Sequence, residues 1–263
     1  QRRPLGTASR TFWAIATNDG GESLSERESH HPVRAPRYST RSQPVVSSKQ
    51  NLRSLRSKTK PWLRAPLKSW TPKEISQGRF LMEAWTTNLE APPKECAVNQ
   101  SRILRRWVQE RCAGNSILGA TSKEMVEMLH RCLDSWRKVE ADRGHGAAEA
   151  FQLVCLLDDA GISTNDEGLR PGNKAYSMCL NVLAKNPEYP STCDDVLALL
   201  NRRREHRTKP DLQFYNACLH VFAKCSPHNS DAPVRAETLL KDISSTMTPD
   251  AASFVSIMHA WAN

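Results

Sequence analysis

Apolar residues recur through the second half of the chain at helical spacing. In "KPDLQFYNACLHVFAK" (209–224), a turn at Pro210 and Asp211 leads into Tyr215, Cys218, Leu219, Phe222 and Ala223. Positions spaced i, i+3, i+4, i+7 and i+8 share one face of an α-helix, so the stretch predicts an amphipathic helix with one buried stripe. The same layout follows Pro171 and Gly172, with Tyr176, Cys179, Leu180, Leu183 and Ala184. It follows Pro249 and Asp250 as well, with Phe254, Ile257, Met258, Trp261 and Ala262. The prolines 171, 210 and 249 lie 39 residues apart, and equal offsets with matching residue types mark an internal repeat. Looser copies lie upstream, at Leu129, Cys132, Leu133 and Trp136, and at Leu81, Met82 and Trp85. The anchors Trp85, Trp136, Leu183, Phe222 and Trp261 step by 51, 47, 39 and 39 residues, so the early connections are longer.

A second helix is predicted after each stripe. "HGAAEAFQLVCLLDDAGI" places Ala147, Ala150, Phe151 and Val154 on one face, with Gly161 as its C-terminal stop. "STCDDVLALLNRR" has Ser191 or Thr192 to cap, acids in its first turn and arginines at its end, matching the helix dipole. "DAPVRAETLLKDI" starts near Asp231 and Pro233, and "PKECAVNQSRILRRWVQERCAG" fills the same slot after the first copy. Thr71 with Glu74, and Thr121 with Glu124, fit the capping box that starts a helix. The unit is therefore helix–turn–helix, in at least four copies and half of a fifth. The expected fold is all-α, an α-solenoid over residues 71–263 that breaks off within its last repeat. A largely unstructured basic segment, residues 1–70, precedes it. The last stripe lacks the polar cap that a solenoid end needs, so further repeats or a catalytic tail are expected after Asn263.

Charge sharpens this division. The formal net charge is +9, but residues 1–73 hold 15 Lys+Arg against 4 Asp+Glu, leaving 22 against 24 for the rest. The array is thus read as near neutral. No acid falls between Glu28 and Glu74, and the leader is rich in Arg, Ser and Pro. Such composition suits an organelle transit peptide or a disordered arm, with the mitochondrion expected ahead of the plastid. Four acids within 19–28 speak against targeting. No apolar run is long enough to span a bilayer, so no membrane insertion is expected.

Candidate chemistry is sparse. There is no Walker loop, GxGxxG, HExxH or GxSxG, so neither enzymatic activity nor a cofactor is expected from these residues. The acid pairs Asp158-Asp159 and Asp194-Asp195 stand at helix ends, which predicts solvent-facing or dipole roles. Eight cysteines include no CxxC pair, and Cys132, Cys179 and Cys218 occupy one repeat position, which predicts buried, reduced, unpaired thiols. Cys218, His220, Cys225 and His228 have metal-like spacing. Cys218 belongs to the stripe, however, and His220 matches His259 as a repeat position, so no metal is expected.

The stretch "PDLQFYNACLHVFAK" resembles the pentatricopeptide repeat family, as do "PDAASFVSIMHAWAN", "RPGNKAYSMCLNVLAK" and "AAEAFQLVCLLDDAGI". The resemblance covers residues 121–263 well and 71–120 weakly. It implies a solenoid that binds single-stranded RNA at about one base per repeat. It further implies that the residue after the first-helix aromatic reads the base together with the residue after the inter-repeat proline. Those residues are Ser177 with Asp211, Asn216 with Asp250, and Val255, whose partner would lie beyond Asn263. Upstream, the same rule pairs His130 with Gly172 and Arg79 with Met125, neither a familiar combination. An Asn amide has both donor and acceptor for a base edge, and Asp can orient it. Asp211 and Asp250 are also favoured N-caps, and the two roles are compatible. The spacing of 39 exceeds the family's usual length, which departs from an even rise of one base per repeat. The expected function is that of an organellar RNA-binding helical-repeat protein in RNA processing, stability or translation. The alternative is a protein-interaction scaffold or organellar ribosome component on the same solenoid.

Overall fold

The computed structural model describes residues 48–64, 71–114, 121–139 and 144–263, with side chains from Leu52 onward. The described helices all lie within one compact unit, Val45–Asn263. They are α1 (Ser48–Arg64), α2 (Pro72–Thr87), α3 (Pro93–Cys112), α4 (Ser122–Lys138), α5 (His145–Ser163), α6 (Asn173–Ala184), α7 (Thr192–Arg204), α8 (Leu212–Cys225), α9 (Ala232–Thr246) and α10 (Ala251–Ala262). A 3-10 turn spans Glu167–Leu169, and no strand occurs among the described residues. The fold is all-α, and none of these helices is long and apolar enough to cross a membrane.

Local chemistry sets the helix starts. Glu124 accepts from the Thr121 N–H at 2.8 Å while the Thr121 hydroxyl accepts from the Glu124 N–H at 3.2 Å, a reciprocal capping box. At α2 the Thr71 N–H and hydroxyl both donate to Glu74, at 2.5 and 2.7 Å. Asp211 and Asp250 cap α8 and α10 by accepting from the N–H groups of Phe214 and Ser253, at 2.8 and 2.9 Å. Two expected boundary roles differ. The Thr192 hydroxyl turns back to the Asn186 carbonyl at 3.1 Å, and Ser191 makes no side-chain cap. Gly161 is not a stop: it is buried inside α5, where a Cβ would lie 2.5 Å from the Arg170 side chain. Asn165 ends the segment instead, at φ 53, with the Asp166 N–H donating back to the Gly161 carbonyl at 2.9 Å.

Helices alternate between two layers. The even-numbered ones pack in succession, α2 on α4, α4 on α6, α6 on α8 and α8 on α10. The odd-numbered ones do likewise from α1 through α3 and α5 to α7, and each packs against neighbouring even ones. The stripes predicted at Tyr176, Cys179, Leu180 and Leu183, and at Tyr215, Cys218, Leu219, Phe222 and Ala223, are buried between the layers. On α10, which packs on α8 and α9, the stripe is largely open: Phe254, Met258 and Trp261 are exposed. Ion pairs join successive odd helices: Arg56 to Glu95 at 2.5 Å, Arg105 to Glu149 at 2.9 Å, Arg202 to Asp159 at 2.5 Å and Arg235 to Asp194 at 2.6 Å. Partly exposed pairs contribute about 0–1 kcal/mol each, so the apolar seam carries the stability.

The stack begins earlier than the stripes suggested. Helix α1 lies inside the segment expected to lack regular structure, yet its Leu55 and Trp62 are buried in the core. It occupies the second-helix place of a preceding unit. The Trp85 indole N–H of α2 donates to Thr59 of α1 at 3.0 Å, and Trp136 of α4 donates to Ser101 of α3 at 2.9 Å. These are the same contact, one unit apart. Gly78 of α2 makes room for Trp62 of α1 and Trp107 of α3, since a Cβ there would lie 2.6 Å from the Trp62 ring and 2.9 Å from Trp107 Nε1. The expectation for residues 1–47 and 65–70 lies outside the described residues.

Candidate functional site

Helices α8 and α10 are successive members of the even layer, and their junction is polar. The Asn216 amide N–H group on α8 donates to both carboxylate oxygens of Asp250, at 3.0 and 3.1 Å. The buried Ser253 hydroxyl donates to the Asn216 carbonyl oxygen at 2.7 Å. Asp250 meanwhile caps α10, and the Ser253 backbone N–H holds its carboxyl below the usual range, with the Asn216 amide adding to the effect. The assignment of amide oxygen and nitrogen follows from this network, because only the nitrogen can donate to a carboxylate. Asn offers two N–H bonds and two lone pairs. With Asp250 and Ser253 satisfied, one N–H and one lone pair of the half-buried Asn216 amide make no hydrogen bond among the described residues.

The other expected positions are placed differently. Asp211 does not hydrogen-bond Ser177; it accepts from the Asn173 amide at 2.6 Å, and Asn173 accepts in turn from the buried Arg203 at 2.6 Å. Ser177 is half-buried on α6 and makes no side-chain hydrogen bond among the described residues. Val255 is exposed beside Phe254 and Met258, and it can offer only apolar surface. Upstream, Arg79 pairs with Glu124 at 2.9 Å, while Met125 is fully buried and out of reach. His130 is half-buried, and burial, aided by the charge of Lys174, lowers its pKa. Its counterpart Gly172 has no side chain to contribute.

Asp158 departs from its expected solvent-facing role. It is 1% exposed, bound by Arg170 Nε at 2.9 Å and His206 Nε2 at 2.9 Å, with Arg202 at 3.6 Å. Burial alone would raise its pKa, but the hydrogen bonds from His206 and Arg170 outweigh that and hold it low. The Tyr176 hydroxyl lies 3.3 Å from the same His206 nitrogen, and burial pushes its phenol well up. An Asp–His–Tyr constellation is a familiar acid–base set. Here all three side chains are buried, so no reacting atom can approach, and the cluster acts as an ionic knot joining α5, α6 and the α7–α8 connection. No local motif could have revealed it, since its members lie far apart in the chain. Asp159 is exposed against Arg202, as expected of a helix end. Asp194 pairs with Arg235, and burial followed by the Asp194 charge pushes Asp195 up to about 6.

Cys132, Cys179 and Cys218 are fully buried and unpaired, and burial raises each thiol. Cys225 hydrogen-bonds to Cys193 on α7, whereas His220 and His228 are exposed. Among the described residues, no group of three His, Cys, Asp or Glu side chains could hold a metal ion. Set against models of protein families, curated proteins and solved structures, the chain matches none of them.

Proposed function

We propose that this chain is a solenoid of helix–turn–helix repeats, akin to pentatricopeptide repeat proteins, that binds single-stranded RNA along its even-numbered helices. It acts without catalysis in organellar RNA processing, stability or translation, in the mitochondrion ahead of the plastid. One observation carries the reading: Asn216 is held by Asp250 and Ser253 with a donor and an acceptor left over. Pre-organised polar groups of this kind lower the ordering cost of binding. A single stacked base contributes about 1–3 kcal/mol, well short of the roughly 8 kcal/mol of micromolar affinity. Binding by these residues alone is therefore weak. Replacing Asn216 with Thr should move the preference at the facing nucleotide from U toward G, with the helical content unchanged. An unchanged preference, or no binding to any RNA at low salt, overturns the reading.

The support for an organellar address narrows to residues 1–47, because Ser48–Arg64 belongs to the packed stack. A reporter carrying residues 1–47 that stays diffuse in the cytosol refutes it. A protein-interaction scaffold, including a ribosomal one, is favoured by the near neutrality of the array, where residues 74–263 hold 22 Lys+Arg against 24 Asp+Glu.

A further inference from the structure

Between α1 and α3, both in the odd layer, lies a groove of about 870 Å³. Seven cations line it, Arg56, Lys60 and Arg64 from α1 and Lys94, Arg102, Arg105 and Arg106 from α3, against the single acid Glu95. That acid is already claimed by the Arg56 fork, at 2.6 and 2.5 Å. Arg105 is engaged by Glu149 at 2.9 Å. Lys60, Arg64 and Arg102 pair with no carboxylate among the described residues, and all three are exposed. Leu63, Pro92 and Val98 add apolar surface to the lining. Helix α1 alone carries six Lys or Arg and no acid. The charges of Lys60, Arg64 and Arg102 have no carboxylate of their own among the described residues to offset them, and an incoming polyanion relieves their mutual repulsion.

We infer that this groove is a sequence-independent site for the phosphate backbone of single-stranded RNA. The inference rests on the RNA reading for the identity of the polymer, and on the groove alone for the site. From Arg56 to Arg64 the α1 wall runs about 12 Å, long enough for more than one phosphate. Arginine forks supply paired donors for phosphate oxygens. The apolar part of the lining suits the face of an unpaired base, which a duplex does not expose. None of the seven cations is a base-reading position, and the groove lies in the layer opposite Asn216. Base selection and backbone holding are thus divided between two surfaces.

The test uses the full chain, with filter binding of oligo(U) and oligo(A) over a range of salt. The charge reversal K60E/R64E/R102E should weaken both RNAs alike, by about tenfold or more at low salt, and flatten the salt slope by about 2, at 0.7 per phosphate contact for single strands. The neutral set K60Q/R64Q/R102Q should give a smaller loss of the same kind, and it decides the matter if charge reversal disturbs the melting curve. Unchanged affinity and slope in both sets overturn the groove. Displacement of RNA by poly-glutamate as readily as by competitor RNA also overturns it, assigning the groove to acidic peptide. Asn216→Thr should alter base preference and leave the salt slope intact, so a failure of the base-reading proposal is told apart from a failure of the groove.

Discussion

Between α1 and α4 the two layers are joined by tryptophans, whereas between α6 and α10 aliphatic and phenyl groups do the same work. Trp85 and Trp136 each reach back to a hydroxyl on the preceding odd helix, at 3.0 and 2.9 Å. At the corresponding repeat positions Leu183 and Phe222 are fully buried with no polar atom to satisfy. Charge differs as well. Helix α1 has six cations and no acid, while α7 sets three Arg against two Asp. Early connections are longer and irregular, and the later ones keep a spacing of 39. A tryptophan with a bonded N–H fixes both distance and orientation at a seam, which compensates for irregular spacing. At Leu183 and Phe222 the regular half has only shape to make the fit.

The largest expected effect strikes that seam. Trp136→Ala should cost about 3–5 kcal/mol in urea unfolding, from a large buried ring lost along with its hydrogen bond. Trp136→Phe should cost less, and if the two variants unfold alike the indole N–H contributes nothing to the contrast. Gly78→Ala comes next, at about 1–3 kcal/mol, because the new methyl would meet Trp62 at 2.6 Å. A neutral result there would mean that the indoles of α1 and α3 can shift, and that the tight early seam is not tight.

The contrast bears on what could be read from residues alone. Helices α6, α8 and α10 were legible because Cys179 and Cys218, or Tyr176 and Tyr215, recur at fixed offsets on buried stripes. Helix α1 was not. Only Leu55 and Trp62 are buried apolar residues on it, with polar Thr59 between them, Pro61 near its end and cations elsewhere. Its place is decided by Trp85 and Glu74, whose backbone carbonyl accepts from the Trp62 indole at 3.0 Å, and such partners leave no periodic trace. In the candidate site, the pairing of Asn216 with Asp250 was implied by the resemblance to pentatricopeptide repeats, and the two side chains do hydrogen-bond. The diversion of Asp211 to Asn173 was not implied, because Arg203 reaches Asn173 from another helix. Asp158 looked like half of a surface acid pair, and only packing brings Arg170 and His206 to it.

In the regular half, Cys218→Ser should cost about 1–3 kcal/mol, through burial of a poorly matched hydroxyl. Rapid thiol labelling of the native protein should also spare Cys132, Cys179 and Cys218; modification of all three would break the shared-stripe argument. The smallest effect concerns acids. Asp195, held up at about 6 by burial and by Asp194, binds protons more readily folded than unfolded. Its stabilising contribution is therefore present at low pH and lost as pH rises through about 6. Asp195→Asn should match the native protein near pH 4 and exceed it by roughly 1 kcal/mol at pH 8, allowing for the solvent that still reaches the group. Glu95, held low first by its hydrogen bond to Arg56, has the opposite sign: its contribution is present above the ordinary carboxylate range and fades as pH falls. Parallel pH profiles for Asp195→Asn and Glu95→Gln would erase the electrostatic part of the contrast.

The tryptophan seam has an optical consequence. Trp62, Trp85, Trp107 and Trp136 are buried within α1–α4, and Trp261 stands exposed on α10. With Trp13 and Trp70 replaced by Phe, short-wavelength indole emission reports the early half, while far-ultraviolet circular dichroism reports every helix. A stack whose units touch only their neighbours can unfold piecewise. Coincident denaturation curves from the two signals would describe one cooperative body, and a gap between them would measure how far the seam between α4 and α6 lets the halves part.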